Sequence, residues 1–171
     1  MSKSAEDHVD RLRAQWAREL PDVDTQGMEV LGRARRITLR VRPPIEAVFS
    51  EQGLDTGEFD VIATLLRSGP PYRMRPTELF KSLMISSGGL TDRLARLTRA
   101  GLIRRSASEG DARSLPVELT EEGRSRAEAA FRADMAVEAQ LLKGLSRSDR
   151  TALAALLRKL ALSLELPGRE E

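Results

Sequence analysis

The 171-residue sequence predicts a mainly α-helical protein with one small β-hairpin. Three observations carry that prediction. Apolar residues recur at spacings of three and four along most of the chain, the period of an amphipathic helix. Pro and Gly break those runs at Pro21, Gly53, Gly69-Pro70-Pro71 and Gly101. Two short stretches, Leu102 to Arg105 and Leu115 to Leu119, flank a charged tip that runs from Glu109 to Ser114, as hairpin strands flank a turn.

Val9, Leu12, Trp16 and Leu20 form one face of a first helix that stops before Pro21. A second helix begins near Thr25 and passes through Met28, Leu31, Ala34 and Arg35 towards Leu39. Pro43 and Pro44 are expected to kink or break it before it resumes from Ile45 to Phe49, with Gly53 as its end. Asp55 and Glu58 have capping-box spacing ahead of a helix through Phe59, Ile62 and Leu66. Pro76 suits a first helical turn, and that short helix carries Leu79, Phe80 and Leu83. Ser86 or Ser87 is expected to cap the next helix, which Gly101 ends. Pro116 places the second hairpin strand at an edge. Thr120 caps a long helix with the stripe Ala127, Phe131, Met135, Ala139 and Leu142. After Gly144 and Ser146, Leu153, Leu156, Leu157, Leu160 and Leu164 stripe the last helix.

The composition excludes several function classes. With no cysteine there is no disulfide, thiolate metal site or cysteine redox chemistry, and a single histidine, His8, is a poor start for a metal site. No run of about 18 apolar residues spans a membrane, and the first residues lack a signal-peptide core, so a cytoplasmic protein is expected. No catalytic constellation is visible, no cofactor is expected, and an enzyme is the least favoured class. The net charge of +2 is unevenly distributed: between Arg67 and Arg113 there are ten Arg and Lys against four Asp and Glu. A basic block within an otherwise acidic chain is a local electrostatic footprint.

That block is a short helix, a tight turn, a second helix and a basic hairpin, an arrangement suited to reading a DNA groove while gripping flanking phosphates. At 100° per residue, Leu90, Leu94 and Leu97 face inward, while Gly88, Asp92, Ala95 and Arg99 face outward with Arg96 beside them. Gly88 and Gly89 favour close backbone approach to phosphate at the helix start. Arg93 lies only about 60° from Leu90, at the edge of the buried stripe. There it either snorkels outward or needs an anionic partner. Asp60, in the narrow polar gap of its helix with Thr64 and Arg67, is a candidate.

Taken together, Pro76-Thr77-Glu78-Leu79, Gly101-Leu102-Ile103-Arg104-Arg105, Asp111-Ala112-Arg113 and Leu119-Thr120-Glu121-Glu122-Gly123 resemble the MarR family of winged helix-turn-helix transcription regulators. The resemblance covers about residues 28–165. It implies a single domain over 1–171, with an extra N-terminal helix (1–24), a winged helix-turn-helix (55–120) and dimerisation helices (25–52 and 121–166). It further implies a homodimer of triangular outline on a pseudo-palindromic DNA site. Ser86, Ser87, Gly88, Gly89, Thr91, Asp92, Arg96 and Arg99 would then contact DNA, with Arg113 in a minor groove. Ala112 replaces a common arginine, and Asp92 stands where asparagine is frequent.

The segments Gly57 to Gly69, Pro71-Tyr72-Arg73 and Ser82 to Leu94 are similar to the urate-responsive subgroup of that family. This likeness implies a ligand set of Trp16, Asp60, Arg93 and Arg105, and a repressor released by urate or another small planar anion. A regulator of the same family answering a different organic acid, and a winged-helix protein-interaction module without specific DNA binding, are the alternatives.

Overall fold

The computed structural model describes residues 6–84, 89–105 and 115–165. The chain divides into two compact units, Met1–Thr56 and Gly57–Glu171.

In the first unit, Asp7 starts helix α1 (His8–Glu19) with a capping box: its carboxylate accepts the Asp10 amide, and the Asp10 carboxylate accepts the Asp7 amide. A π-helical stretch (Met28–Gly32) runs directly into α2 (Arg33–Glu51). Ion pairs tie the start of α1 to this junction. Arg33 reaches Asp7 at 2.8 Å and Asp10 at 2.6 Å, and Arg13 pairs with Glu29. The expected break at Pro43 and Pro44 does not occur; α2 is continuous across both. The proline ring fixes φ near −65°, itself a helical value. The carbonyls of Leu39 and Arg40 lose their amide partners, but both residues are exposed, so water can replace them.

The second unit is built on α3 (Thr56–Arg67), which is apolar on nearly every side: Val61, Ile62 and Leu65 are fully buried. Strand β1 (Arg73–Met74), α4 (Pro76–Ser82), α5 (Leu90–Arg99), β2 (Ile103–Arg105), β3 (Val117–Leu119), α6 (Glu121–Leu141) and α7 (Arg147–Leu164) follow. Leu79, Leu94, Leu97, Ile103 and Val117 supply the rest of its core.

The sheet is antiparallel with order β1-β3-β2, so β3 is central rather than at an edge. Pro116 stands one residue ahead of the strand, where its missing N–H removes no ladder bond. Strand β1, not foreseen, pairs Arg73 with Glu118 and Met74 with Val117, and Ile103 pairs with Leu119 on the other side. The hairpin tip, 106–114, lies outside the described residues.

Helix α5 starts later than expected. Its capping position is Gly89, in the left-handed region at φ 73°, and not Ser86 or Ser87. A left-handed residue reverses the chain into the helix, and glycine adopts it without a Cβ penalty. Thr120 does cap α6, accepting the Gly123 amide at 3.0 Å. The face α6 buries is Gly123, Ala127, Ala130 and Asp134. The expected stripe through Phe131 and Met135 is exposed. The two faces share Ala127 and diverge by one residue beyond it, because small side chains at 123, 127 and 130 admit close packing. Gly123 leaves no choice: a Cβ there would lie 1.8 Å from the Leu102 carbonyl oxygen. Ser146 caps α7 with Asp149 in a capping box, and none of α7's residues is buried.

Candidate DNA interface and effector site

Helix α5 presents the two faces its sequence dictates. Leu94 and Leu97 are buried, while Thr91, Asp92 and Arg99 are exposed. Arg96 is on the outer side, but its Nε donates to Glu58 Oε1 of α3 at 2.6 Å. This arginine therefore braces the helix against α3, a contact that helical spacing alone did not suggest. Gly89 is exposed at the helix start. Ser86, Ser87, Gly88 and Arg113 lie outside the described residues.

Of the four residues assigned to a ligand, two come close. Asp60 is 6% exposed, a carboxylate within the core side of α3. Arg93 reaches from α5 onto the same helix: a Cβ added to Gly57 would lie 2.2 Å from Arg93 Nε and 2.5 Å from its Cζ. Gly57 is one helical turn before Asp60, so the guanidinium and the carboxylate occupy neighbouring positions of one helix face. The glycine is what lets the guanidinium lie on the α3 backbone.

Asp60 also holds the turn. Its Oδ1 accepts the backbone N–H of Met84 at 3.2 Å, just after α4 ends. Arg67, two turns along α3, donates to the Ser82 carbonyl, and its Nη1 is 4.0 Å from the same Asp60 oxygen. The contacts to Met84 and Ser82 are not legible in the sequence, because these partners are backbone groups that carry no residue signature.

The other two residues each have surroundings of their own. Trp16, on α1 and 46% exposed, lines a cavity of about 460 Å³ with Leu20, Val23, Thr25 and Met28. Arg105 is exposed at the end of β2. Its neighbour Arg104 is engaged across the sheet, 2.7 Å from Glu118, whose carboxylate raises the Arg104 pKa further. Among the described residues no cluster of three or more His, Asp or Glu could hold a metal ion, and no helix is long and apolar enough to cross a membrane.

One buried group escaped the sequence reading. Asp134 on α6 is buried, and its Oδ1 has no hydrogen-bond partner among the described residues. Burial, then the charge of Glu138, raise its pKa above the ordinary carboxylate value.

A two-helix reader with an exposed polar and basic face, backed by a three-stranded antiparallel sheet, defines a winged helix-turn-helix DNA-binding protein. Residues 52–114 match the MarR family model. Over 149 residues the chain is 38% identical to the HTH-type transcriptional regulator PecS of Dickeya dadantii, covering 87% of this chain and 90% of that one. The Mycobacterium tuberculosis MarR family protein Rv2887, solved in complex with salicylic acid, superposes with a TM-score of 0.61 at 28% identity, over 82% of this chain and 99% of that one. Sco3205 of Streptomyces coelicolor, a MarR family regulator solved in complex with DNA, gives a TM-score of 0.71 at 20% identity, over 85% and 91% of the two chains. The chain belongs to the MarR family: it is a DNA-binding transcription regulator and not an enzyme.

Proposed function

We propose that this chain is a repressor released from its operator by a small planar organic anion such as urate, and that it acts as a homodimer on a pseudo-palindromic site. The observation that carries the reading is Asp60, a buried carboxylate that grips the Met84 amide at the entrance to the recognition helix while Arg93 of that helix lies one turn away on Gly57.

The mechanism follows from charge. In the free protein Asp60 pairs with Arg93 and holds α5 in the pose that fits a DNA groove. Two unit charges about 4 Å apart attract by roughly 4 kcal/mol at an effective dielectric of 20, before desolvation. An anion competes for Arg93, recruits Arg105 and repels Asp60. Displacing the Arg93 anchor tilts α5 off its half-site, and a coupling of about 1–3 kcal/mol, or 5–150-fold in affinity, suffices for a switch. Arg99 and Gly89, with Ser86, Ser87, Gly88, Thr91 and Asp92, face the DNA, and Arg113 enters the minor groove.

The dimer reading is supported by exposed apolar side chains on the terminal helices: Ile37 and Leu39 of α2, Phe131 of α6, and Leu156, Leu157 and Leu162 of α7. A second copy would cover them, and two-fold symmetry would set the two α5 helices about one DNA turn apart. A second effector class has an observation in its favour: Rv2887 was solved with salicylic acid, a small aromatic carboxylate with the same recognition chemistry.

Fluorescence anisotropy on a duplex selected by the protein from a random library tests the reading, with urate and salicylate as the added anions. The wild type is expected to release DNA as one anion is added. Asp60→Asn, which keeps an acceptor for Met84 but loses the charge, is expected to weaken effector-free DNA binding and to blunt or abolish the effect of the anion on it. An unaltered response in that variant removes Asp60 from the switch.

A further inference from the structure

We propose that Arg67 is a positioning residue that joins the effector site to the DNA-reading helix, an inference that rests on the anion-release reading above. Arg67 ends α3. Its Nη2 donates to the carbonyl of Ser82, the last residue of α4, and its Nη1 lies 4.0 Å from Asp60 Oδ1, which in turn accepts the Met84 amide. One carbonyl and one amide, two residues apart, are thus held from a single edge of α3 where the chain leaves α4 for α5. Both are backbone groups, so the clamp fixes the path of the chain whatever side chains the turn carries.

The same guanidinium can bind an anion. Its side chain is 50% exposed, whereas that of Asp60 is 8% exposed, so an incoming anion reaches Arg67 first. A charged oxygen adds a direct charge–charge attraction to the guanidinium that the neutral Ser82 carbonyl lacks. It therefore displaces Ser82 from the guanidinium fork, and the turn loses one of its two anchors. Lysine carries the charge without the fork and cannot serve Ser82 and Asp60 together.

The test measures duplex affinity without effector and the urate and salicylate concentrations for half-release, in Arg67→Gln, Arg67→Lys and Asp60→Asn. Arg67→Gln is expected to weaken effector-free binding about 2–30-fold and to raise the anion midpoint, with Arg67→Lys between it and wild type. Amide exchange at Met84 in the wild type is expected to speed up when the anion is added. If both Arg67 variants keep wild-type affinity and midpoints while Asp60→Asn is blunted, Arg67 has no positioning role and Asp60 acts alone. If Asp60→Asn also responds normally, the effector reading itself fails. Should Arg67→Gln not fold, Arg67→Lys and the Met84 exchange decide, and unchanged exchange overturns the inference.

Discussion

Gly57 and Gly123 are both small because something occupies the space of a Cβ, but the occupants differ. At Gly123 it is the Leu102 carbonyl, backbone that cannot move without shifting β2. At Gly57 it is the end of the Arg93 side chain, which can swing away. Gly57→Ala is therefore expected to lower the melting temperature less than Gly123→Ala does, because only at Gly57 can a side chain move to relieve the clash. It should nevertheless alter DNA affinity and anion response by dislodging Arg93; anisotropy and thermal melting on the same sample separate the two effects. Both glycines were visible in sequence motifs, whereas their reasons were not, since a glycine's neighbour in space leaves no mark beside it. Asp134 was missed because one carboxylate on α6 looks like solvent-facing polarity; only the buried run Gly123, Ala127, Ala130 exposes its place. As an acid whose folded pKa is raised, it destabilises the fold above that pKa and costs nothing once both states are protonated. Asp134→Asn should thus raise the melting temperature at neutral pH, because the amide keeps the shape of the side chain and removes the buried charge. The gain should shrink as pH falls towards 4, and an equal gain at all pH values would point to packing instead.

At the scale of elements, helix spacing was legible nearly throughout, and the failures have local causes. Proline ordinarily breaks a helix, yet two consecutive prolines are tolerated where the carbonyls they orphan are exposed. The edge assignment for β3 failed because a two-residue strand, β1, carries too little pattern to be seen. The start of α1 is held by the buried Val9 together with the ion pairs of Arg33 and Arg13, while Trp16 and Leu20 remain exposed. The Asp10 amide, followed by Arg33, lowers the Asp7 pKa from 3.8 to about 2. A lowered acid pKa contributes stability that is complete above 3.8 and is lost as pH falls through about 2. Trp16 fluorescence, which reports from the same helix, should therefore change between about pH 4 and pH 2. Asp7→Asn should remove that step, and a step that persists in the variant would assign it to another carboxylate.

For the molecule as a whole, the sequence revealed a reader helix, its basic surroundings and terminal helices with apolar stripes, because these are periodic and local. It suggested Asp60 and Arg93 as partners through a polar gap on one helix and a misplaced cation on another. What it could not reveal was the backbone side of the device, in which α3 holds Ser82 and Met84. If the anion and the operator compete for the pose of α5, their binding free energies must be coupled equally in both directions. The most direct measurement is calorimetric titration of urate, and of salicylate, into free protein and into protein saturated with its selected duplex. Anion affinity should be weaker on the DNA complex by the same factor, about 5–150-fold, by which the anion weakens DNA binding. Equal anion affinity with and without DNA would contradict the switch.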